Sequence, residues 1–385
     1  MARVLVLSTL NTKAEETEYF LSHLAQHGVQ GEVIDLALDT GGKILDGDGK
    51  LAAMEQAVAR AEASLEAELS DRVHAVVGLG GGTGGELALR VLSSLPITFP
   101  KVLITTLPFD PRFAAADSSI VLVPTLADIC GLNATLREVL ENAAALTAGL
   151  CQTRRLPGVC VDETSIGITA LGATEGAVGP LVETLQGQGE ECTVFHSNGF
   201  GGAAFARFAD RGAFKAIVDL TPHELTRQHV GGIYVPRDTR FTAGGDLPRV
   251  ILPGALNFMG LGQRDQVATQ LLERQHYSHS GFFTHVQLSE DEMRHVATEL
   301  IKALLPNTGP TTLIVPMGGF SHQDMPGGAI ENPNLREVFL ETARALLPNN
   351  ITLEVLDAHI SDPKVTSAIL SALRPALAQR KVSNV

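Results

Sequence analysis

Residues Ala75-Val76-Val77-Gly78-Leu79-Gly80-Gly81-Gly82-Thr83-Gly84-Gly85-Glu86-Leu87-Ala88 carry a short apolar run into a glycine cluster and then into a stretch of helical character. Strand, tight turn and helix in that order is the repeating unit of a parallel α/β sheet. Successive glycines let backbone amides converge, and the helix that follows adds free amides and a positive dipole end, which suits a phosphate or carboxylate. Gly80-x-Gly82-x-x-Gly85 matches the form of a dinucleotide fingerprint, but it follows the third strand and no acidic residue closes the next one. No Lys-Ser/Thr pair follows the glycines, so this is not a P-loop. The competing reading is a turn that needs glycine for close helix–sheet packing.

The same grammar extends in both directions. Val4–Ser8, Glu32–Ala37, Val102–Thr106 and Ile120–Val123 read as further strands of the first half. Thr12-Lys13-Ala14-Glu15 has the form of a capping box, and Phe20 and Leu24 share a helical face behind it. Leu51–Leu69 and Ala127–Leu150 read as helices, the second closing the first domain. In the second half, strands are expected at Ser165–Ala170, Cys192–His196, Ala216–Leu220, Val250–Leu252, Thr312–Val315 and Thr352–Leu356. An offset of 160 residues overlays Thr9 on Thr169, Glu15 on Glu175 and Gly41-Gly42 on Gly201-Gly202, with third and fourth strands in the same order. The expectation is two Rossmann-like αβα subdomains with mostly parallel sheets facing a cleft, residues 1–157 and 158–385, joined by a linker near Gln152–Pro157.

Candidate ligand residues follow from that layout, because open α/β sheets bind at the carboxyl ends of their strands. Thr9 and Lys13 lie in the first such turn, Gly80, Gly81, Gly82, Thr83, Gly84 and Gly85 in the third, and Thr105 and Thr106 at the end of the fourth. Lys13 reads either as a point charge for a phosphate or as a solvated lysine. Asp110 reads as a turn former before Pro111 or as a water-mediated magnesium ligand. In the second half, Asn198, Gly199, Gly201 and Gly202 end one strand, Asp219, His223 and Glu224 another, and His359 a third. Strand-end His and Asp residues fit general acid–base work, so Asp219, His223, Glu224 and His359 are the catalytic candidates. The remaining histidines, including His276 and His279 in a polar stretch, read as ordinary surface or core residues. There is no zinc-protease helix after His223-Glu224 and no Gly-x-Ser-x-Gly elbow.

Composition narrows the partners. The chain has 385 residues, 44% hydrophobic, with 29 basic against 43 acidic residues and a net charge of −14. That field repels phosphate backbones and anionic lipid, which argues against duplex nucleic acid and membrane surfaces. No run approaches the ~20 apolar residues that span a bilayer, and the N-terminal run is too short for a signal peptide. Cys130, Cys151, Cys160 and Cys192 lack metal-like spacing and read as buried free thiols, so no metal site is expected from them. A cytoplasmic protein is expected.

Ordered motifs along nearly the whole chain resemble the UPF0261 family. They are Ser8-Thr9-Leu10-Asn11-Thr12-Lys13, Gly78 to Gly85, Asp128-Ile129-Cys130-Gly131-Leu132-Asn133, Phe195-His196-Ser197-Asn198-Gly199, Asp219-Leu220-Thr221, Pro253-Gly254-Ala255-Leu256 and Asp357-Ala358-His359-Ile360. The resemblance implies two Rossmann-like subdomains, binding of ATP with or without Mg, and self-association as a dimer. A plant member carries a TIM-barrel-like domain behind this region, so a barrel-domain partner is a further expectation. This chain departs from the family at Asn11 and Ala14, where Asp and Gly are usual, and in the order Gly82-Thr83-Gly84-Gly85-Glu86, where Ser-Gly-Gly-Thr is usual. Two function classes stay open: a nucleotide-binding protein with phosphates on Gly80–Gly85, and a metabolic enzyme of lyase or hydrolase type acting on a small carboxylated or phosphorylated substrate.

Overall fold

The computed structural model describes residues 1–69, 73–108, 110–152 and 165–383. The chain divides into two compact units, Met1–Pro157 and Gly158–Val385. Cys160 and the expected linker beyond Gln152 lie outside the described residues.

Unit 1 runs β1 (Ala2–Ser8), α1 (Leu10–Gln26), β2 (Val29–Asp35), α2 (Gly47–Glu68), β3 (Val73–Gly80), α3 (Gly82–Ser94), β4 (Lys101–Thr105), α4 (Pro111–Ala115), β5 (Ile120–Pro124) and α5 (Ala134–Gln152). Its strands pair in parallel in the order β2-β1-β3-β4-β5. Side chains alternate across a strand, so a sheet covered on both faces needs apolar residues at every position. Val4 and Val6 pack with Phe20, Leu24, Leu136 and Leu140 of α1 and α5. Leu5 and Leu7 pack on the other face with Met54, Val58, Leu87 and Val91 of α2 and α3.

Unit 2 runs β6 (Ser165–Ala170), α6 (Glu175–Gly187), β7 (Cys192–His196), α7 (Gly201–Asp210), β8 (Phe214–Asp219), α8 (Glu224–His229) and β9 (Arg249–Ile251). It continues with β10 (Phe258–Leu261), α9 (Thr269–Leu272), β11 (His276–Ser278), β12 (Thr284–Gln287), α10 (Glu290–Leu304), β13 (Thr311–Pro316), α11 (Pro333–Leu346), β14 (Ile351–Leu356) and α12 (Pro363–Ser383). The main sheet is parallel, in the order β14-β13-β9-β8-β6-β7. Counted within the unit this is 2-1-3-4-5-6, the winding of unit 1 with one strand added. Each expected strand is present to within three residues at either end.

Besides the start of α5 at Ala134 rather than Ala127, three details differ from the sequence expectations. The long connection after β9 forms a second, antiparallel sheet, β10-β12-β11, and His276 lies in a strand of it. The Thr12–Glu15 capping box is replaced by an earlier start, because β1 ends at Ser8 and the chain turns at once. Helix α1 begins at Leu10, whose N–H donates to Asp35 Oδ1 (3.0 Å), while Lys13 departs from helical dihedrals (φ −128°, ψ 22°). Cys130 is an exposed free thiol, whereas burial pushes the half-buried Cys192 up to about 11.

The glycine cluster divides by position. A Cβ on Gly78 would lie 2.7 Å from Ala88 Cβ, one on Gly80 2.5 Å from the Gly84 carbonyl carbon, and one on Gly85 2.6 Å from Thr105 Oγ1. These three let α3 lie against β3 and β4. A Cβ on Gly82 would meet nothing within 4 Å. Gly85→Ala is therefore expected to lower unfolding free energy by about 1–3 kcal/mol through overpacking. Gly82→Ala should stay within about 0.5 kcal/mol of the parent, both read from urea unfolding.

Candidate functional site

In unit 1 the crossovers reverse direction between β1 and β3, the place where doubly wound sheets open a crevice at their carboxyl edge. The turns Thr9–Lys13 and Gly81–Gly85 meet there, since a Cβ on Gly84 would lie 3.4 Å from Thr9 Oγ1. Helix α3 starts with Gly81 at its N-cap and no side chain on its first amides, and its first helical bond is Gly85 N–H to Gly81 O (2.7 Å). The amides of Gly82, Thr83 and Gly84 precede that bond and need an outside acceptor. Beside them lies a pocket of about 430 Å³ lined by Thr106, Pro124, Leu126, Ala127 and Asp128. A Cβ on Gly81 would come within 3.8 Å of Thr106 Oγ1 and 3.9 Å of Asp128 Oδ1.

Two walls of this crevice hold strained backbone. Leu107 (φ 51°) follows β4 and Leu126 (φ 61°) follows β5, and non-glycine residues in this region cost energy that surrounding structure must offset. Below the turn, Thr105 is fully buried and its Oγ1 has no partner. Lys13 is half-buried and its Nζ donates to the Ile129 carbonyl, while Glu16 Oε1 accepts from Gly131 N–H (2.8 Å). These two bonds fasten the loop after β5 to α1, so Lys13 has a structural partner already. Asp110 caps α4 through Arg112 N–H (3.0 Å) and pairs with the Arg112 guanidinium.

In unit 2 most expected site residues are engaged with the protein itself. Asp219 is fully buried and accepts from Thr169 Oγ1 (2.7 Å) and from both terminal nitrogens of Arg240 (2.7 and 3.0 Å). Burial opposes its charge, but the Arg240 guanidinium and the Thr169 hydroxyl outweigh that and hold the carboxyl below its ordinary range. Its chemistry is that of an anchor, not of a proton shuttle. Glu224 accepts from Arg240 Nη2 (3.2 Å), and its other oxygen is buried beside the Gly202 α-carbon. A Cβ on Gly202 would lie 2.7 Å from that oxygen, so the glycine admits a carboxylate and does not cradle an anion. The α7 amides of Phe200 and Gly201 donate to Asn198 Oδ1 (3.1 and 3.3 Å), and the Gly199 carbonyl accepts from Val235 N–H (2.6 Å). Asn198, Gly199, Gly201 and Gly202 are thus engaged in local packing.

Both ring nitrogens of His359 are engaged with the backbone. Ser361 N–H donates to its Nδ1 (3.2 Å), so the proton sits on Nε2, which donates to Ser321 O (2.9 Å). No lone pair is left for a substrate. His223 differs. It is fully buried, its Nδ1–H donates to Ala255 O (2.7 Å), and its Nε2 has no partner. Burial and the nearby Arg227 charge push it well below the ordinary imidazole range, so it is neutral with a bare nitrogen. Ala255 holds it from a left-handed conformation (φ 57°). Sequence reading missed Arg227, His285 and the inserted sheet. The signal available was length: the connection from fourth to fifth strand spans Thr105 to Ile120 in unit 1 but Ile251 to Thr311 in unit 2.

Fold and site together define a doubly wound α/β protein built from two units of the same winding, with an open, uncapped glycine turn at the switch point of the first. Residues 38–155 match the N-terminal domain and residues 163–377 the C-terminal domain of the family described as Uncharacterised protein family (UPF0261). The chain belongs to that family. A UPF0261 protein of Rhizobium meliloti is 30% identical over 97% of this chain and 99% of its own length. One from Clostridium tetani is 25% identical over 96% and 98%. The ToMV resistance protein Tm-1(GCR237) of Solanum lycopersicum is 28% identical over 77% of this chain, a match that covers 41% of the tomato protein. Among the described residues no helix is long and apolar enough to cross a membrane.

Two measurements follow. Arg240→Met leaves Asp219 buried without its cation and should cost about 3–5 kcal/mol in urea unfolding. Burial also pushes His285 down to about 3, and both it and His223 lie below the ordinary imidazole value. The unfolded chain therefore takes up protons first as pH falls. Their stabilisation is complete above pH ~6.5 and declines below it, by up to about 1.4 kcal/mol per pH unit for each group. A fall in melting temperature from pH 7 to 5, with a shallower slope in His285→Gln, is the expected result.

Proposed function

We propose that unit 1 binds a nucleotide, ATP, with its phosphates on the Gly80–Gly85 turn. The observation that carries this reading is the uncapped start of α3 at the β1/β3 switch point, with open space over Gly82 and a pocket at its side. At two other strand-to-helix turns a side chain fills such positions. Asp35 accepts the first amide of α1, and Asn198 accepts those of α7. Phosphate oxygens would take the amides of Gly82, Thr83 and Gly84, with Thr9 and Thr106 at the rim. Gly80, Gly85 and Thr105 would shape the turn from beneath. Asp128 is the carboxylate at the pocket wall, and a Mg2+ ion carried in with ATP would offset its repulsion of the phosphates.

The test exploits the open space at Gly82. Because a side chain there meets nothing, Gly82→Val should fold and melt as the parent does while filling the cradle. Calorimetric titration with Mg-ATP should show saturable binding to the parent and at least a tenfold loss in the variant, about 1.4 kcal/mol. Equal affinity in the two proteins refutes this siting of the phosphates.

A further inference from the structure

The crossovers of unit 2 reverse between β6 and β8, and the turns that follow these strands touch through Thr174 Oγ1 and Thr221 Oγ1 (2.8 Å). What stands at this second switch point is a charge without a counter-ion among the described residues. Arg227 of α8 is half-buried, its Nη1 donates to the Ile233 carbonyl (3.1 Å), and its Nε is buried with no partner. The carboxylate whose charge acts on it, Glu224, is turned to Arg240. Three glycines from three separate segments make room for this one side chain. A Cβ on Gly199 would lie 3.0 Å from Arg227 Cδ, one on Gly232 3.0 Å from Cγ, and one on Gly260 2.5 Å from Nη2. The same Cβ on Gly260 would lie 2.9 Å from the bare Nε2 of His223. The arginine is therefore held in one place by backbone, as a binding group is and a solvated surface arginine is not.

The inserted sheet supplies the other wall. Phe258, His285 and His279 form a column of near-parallel rings, with centroids 4.0 and 5.0 Å apart and interplanar angles of 17° and 10°. His279 is its exposed end and stands over the turn after β6, where a Cβ on Gly172 would lie 3.8 Å from its Cε1. A half-buried cation with no carboxylate in contact costs free energy that an incoming anion recovers. One guanidinium balances one negative charge. The flanking imidazoles offer hydrogen bonds to a hydroxyl or keto oxygen.

The geometry points to a second ligand site, in unit 2, at which Arg227 anchors a small hydroxy- or keto-carboxylate against the imidazoles of His279 and His285. This site is independent of what the glycine turn of unit 1 binds. It also differs from the acid–base cluster expected from the sequence, since Asp219, Glu224 and His359 are engaged elsewhere.

The experiment uses the full chain and three probes, lactate, glycerate and 2-oxobutyrate, each to about 20 mM, with methyl lactate and inorganic phosphate as controls. Thermal shift and calorimetry should show saturable binding of at least one carboxylate, and weaker or no response to the neutral ester and to phosphate. Arg227→Gln should lower that affinity about tenfold or more, with Arg227→Lys between it and the parent because the charge survives without the planar fork. Should Arg227→Gln fail to fold, His279→Ala decides the matter, because it removes an exposed ring and should weaken binding severalfold with an unchanged melting temperature. No saturable response to any of the three carboxylates overturns the proposal. So does tighter binding of phosphate, or affinity that both Arg227→Gln and His279→Ala leave intact.

Discussion

Two neighbouring parallel strands cannot be joined by a tight turn, so each must be linked by a crossover that climbs one face of the sheet and returns to the same edge. That constraint organises both halves of this protein. In each, the second strand lies to one side of the first and the third to the other. The helices after the first and third strands therefore start on opposite faces, and the edge between their first turns is left open. The glycine turn of unit 1 and the Thr174–Thr221 contact of unit 2 stand at these two edges. The left-handed, non-glycine residues Leu107, Leu126 and Ala255 each follow a strand at a carboxyl edge as well.

The two openings are lined by opposite means. In unit 1 the donors are backbone amides at the start of α3, and the glycines divide between those that let the helix approach the sheet and those that leave space above it. In unit 2 the equivalent positions are taken up by side chains and buried charge. Asp219 holds Arg240, Arg240 holds Glu224, and the buried Arg249 donates to the carbonyls of Phe241, Ala243 and Gly244. Burial without a carboxylate partner brings Arg249 down to about 10. Arg240 and Arg249 share with Arg227 a buried Nε that has no partner, but their terminal nitrogens meet carboxylates or several carbonyls, whereas those of Arg227 meet the Ile233 carbonyl.

Much of this was legible in the residues. Strand positions, the alternation with helices and the common winding of the halves follow from apolar runs of strand length separated by helical stretches, a local signal that survives folding. Gly80–Gly85 was legible as a candidate cradle because glycine clusters after a strand have few other uses. The role of each glycine was not. Gly82 and Gly85 are identical in sequence terms, yet Thr105 Oγ1 crowds one and nothing crowds the other. The Gly201-Gly202 pair looked like an echo of the first half and proves to be the place where a carboxylate presses on the backbone.

The sequence by itself determined the fold class, the double winding and the edges where ligand chemistry is possible, because patterning and turn chemistry act over a few residues. Tertiary structure decided which strand-end groups remain free. Asp219 and Arg240 are 21 residues apart and become a bidentate pair. The Nδ1 lone pair of His359 accepts from Ser361 N–H, and its Nε2–H donates to the carbonyl of Ser321, 38 residues away. Whether a polar group is spent or available depends on partners brought close only by packing, and burial then sets the cost of leaving it alone.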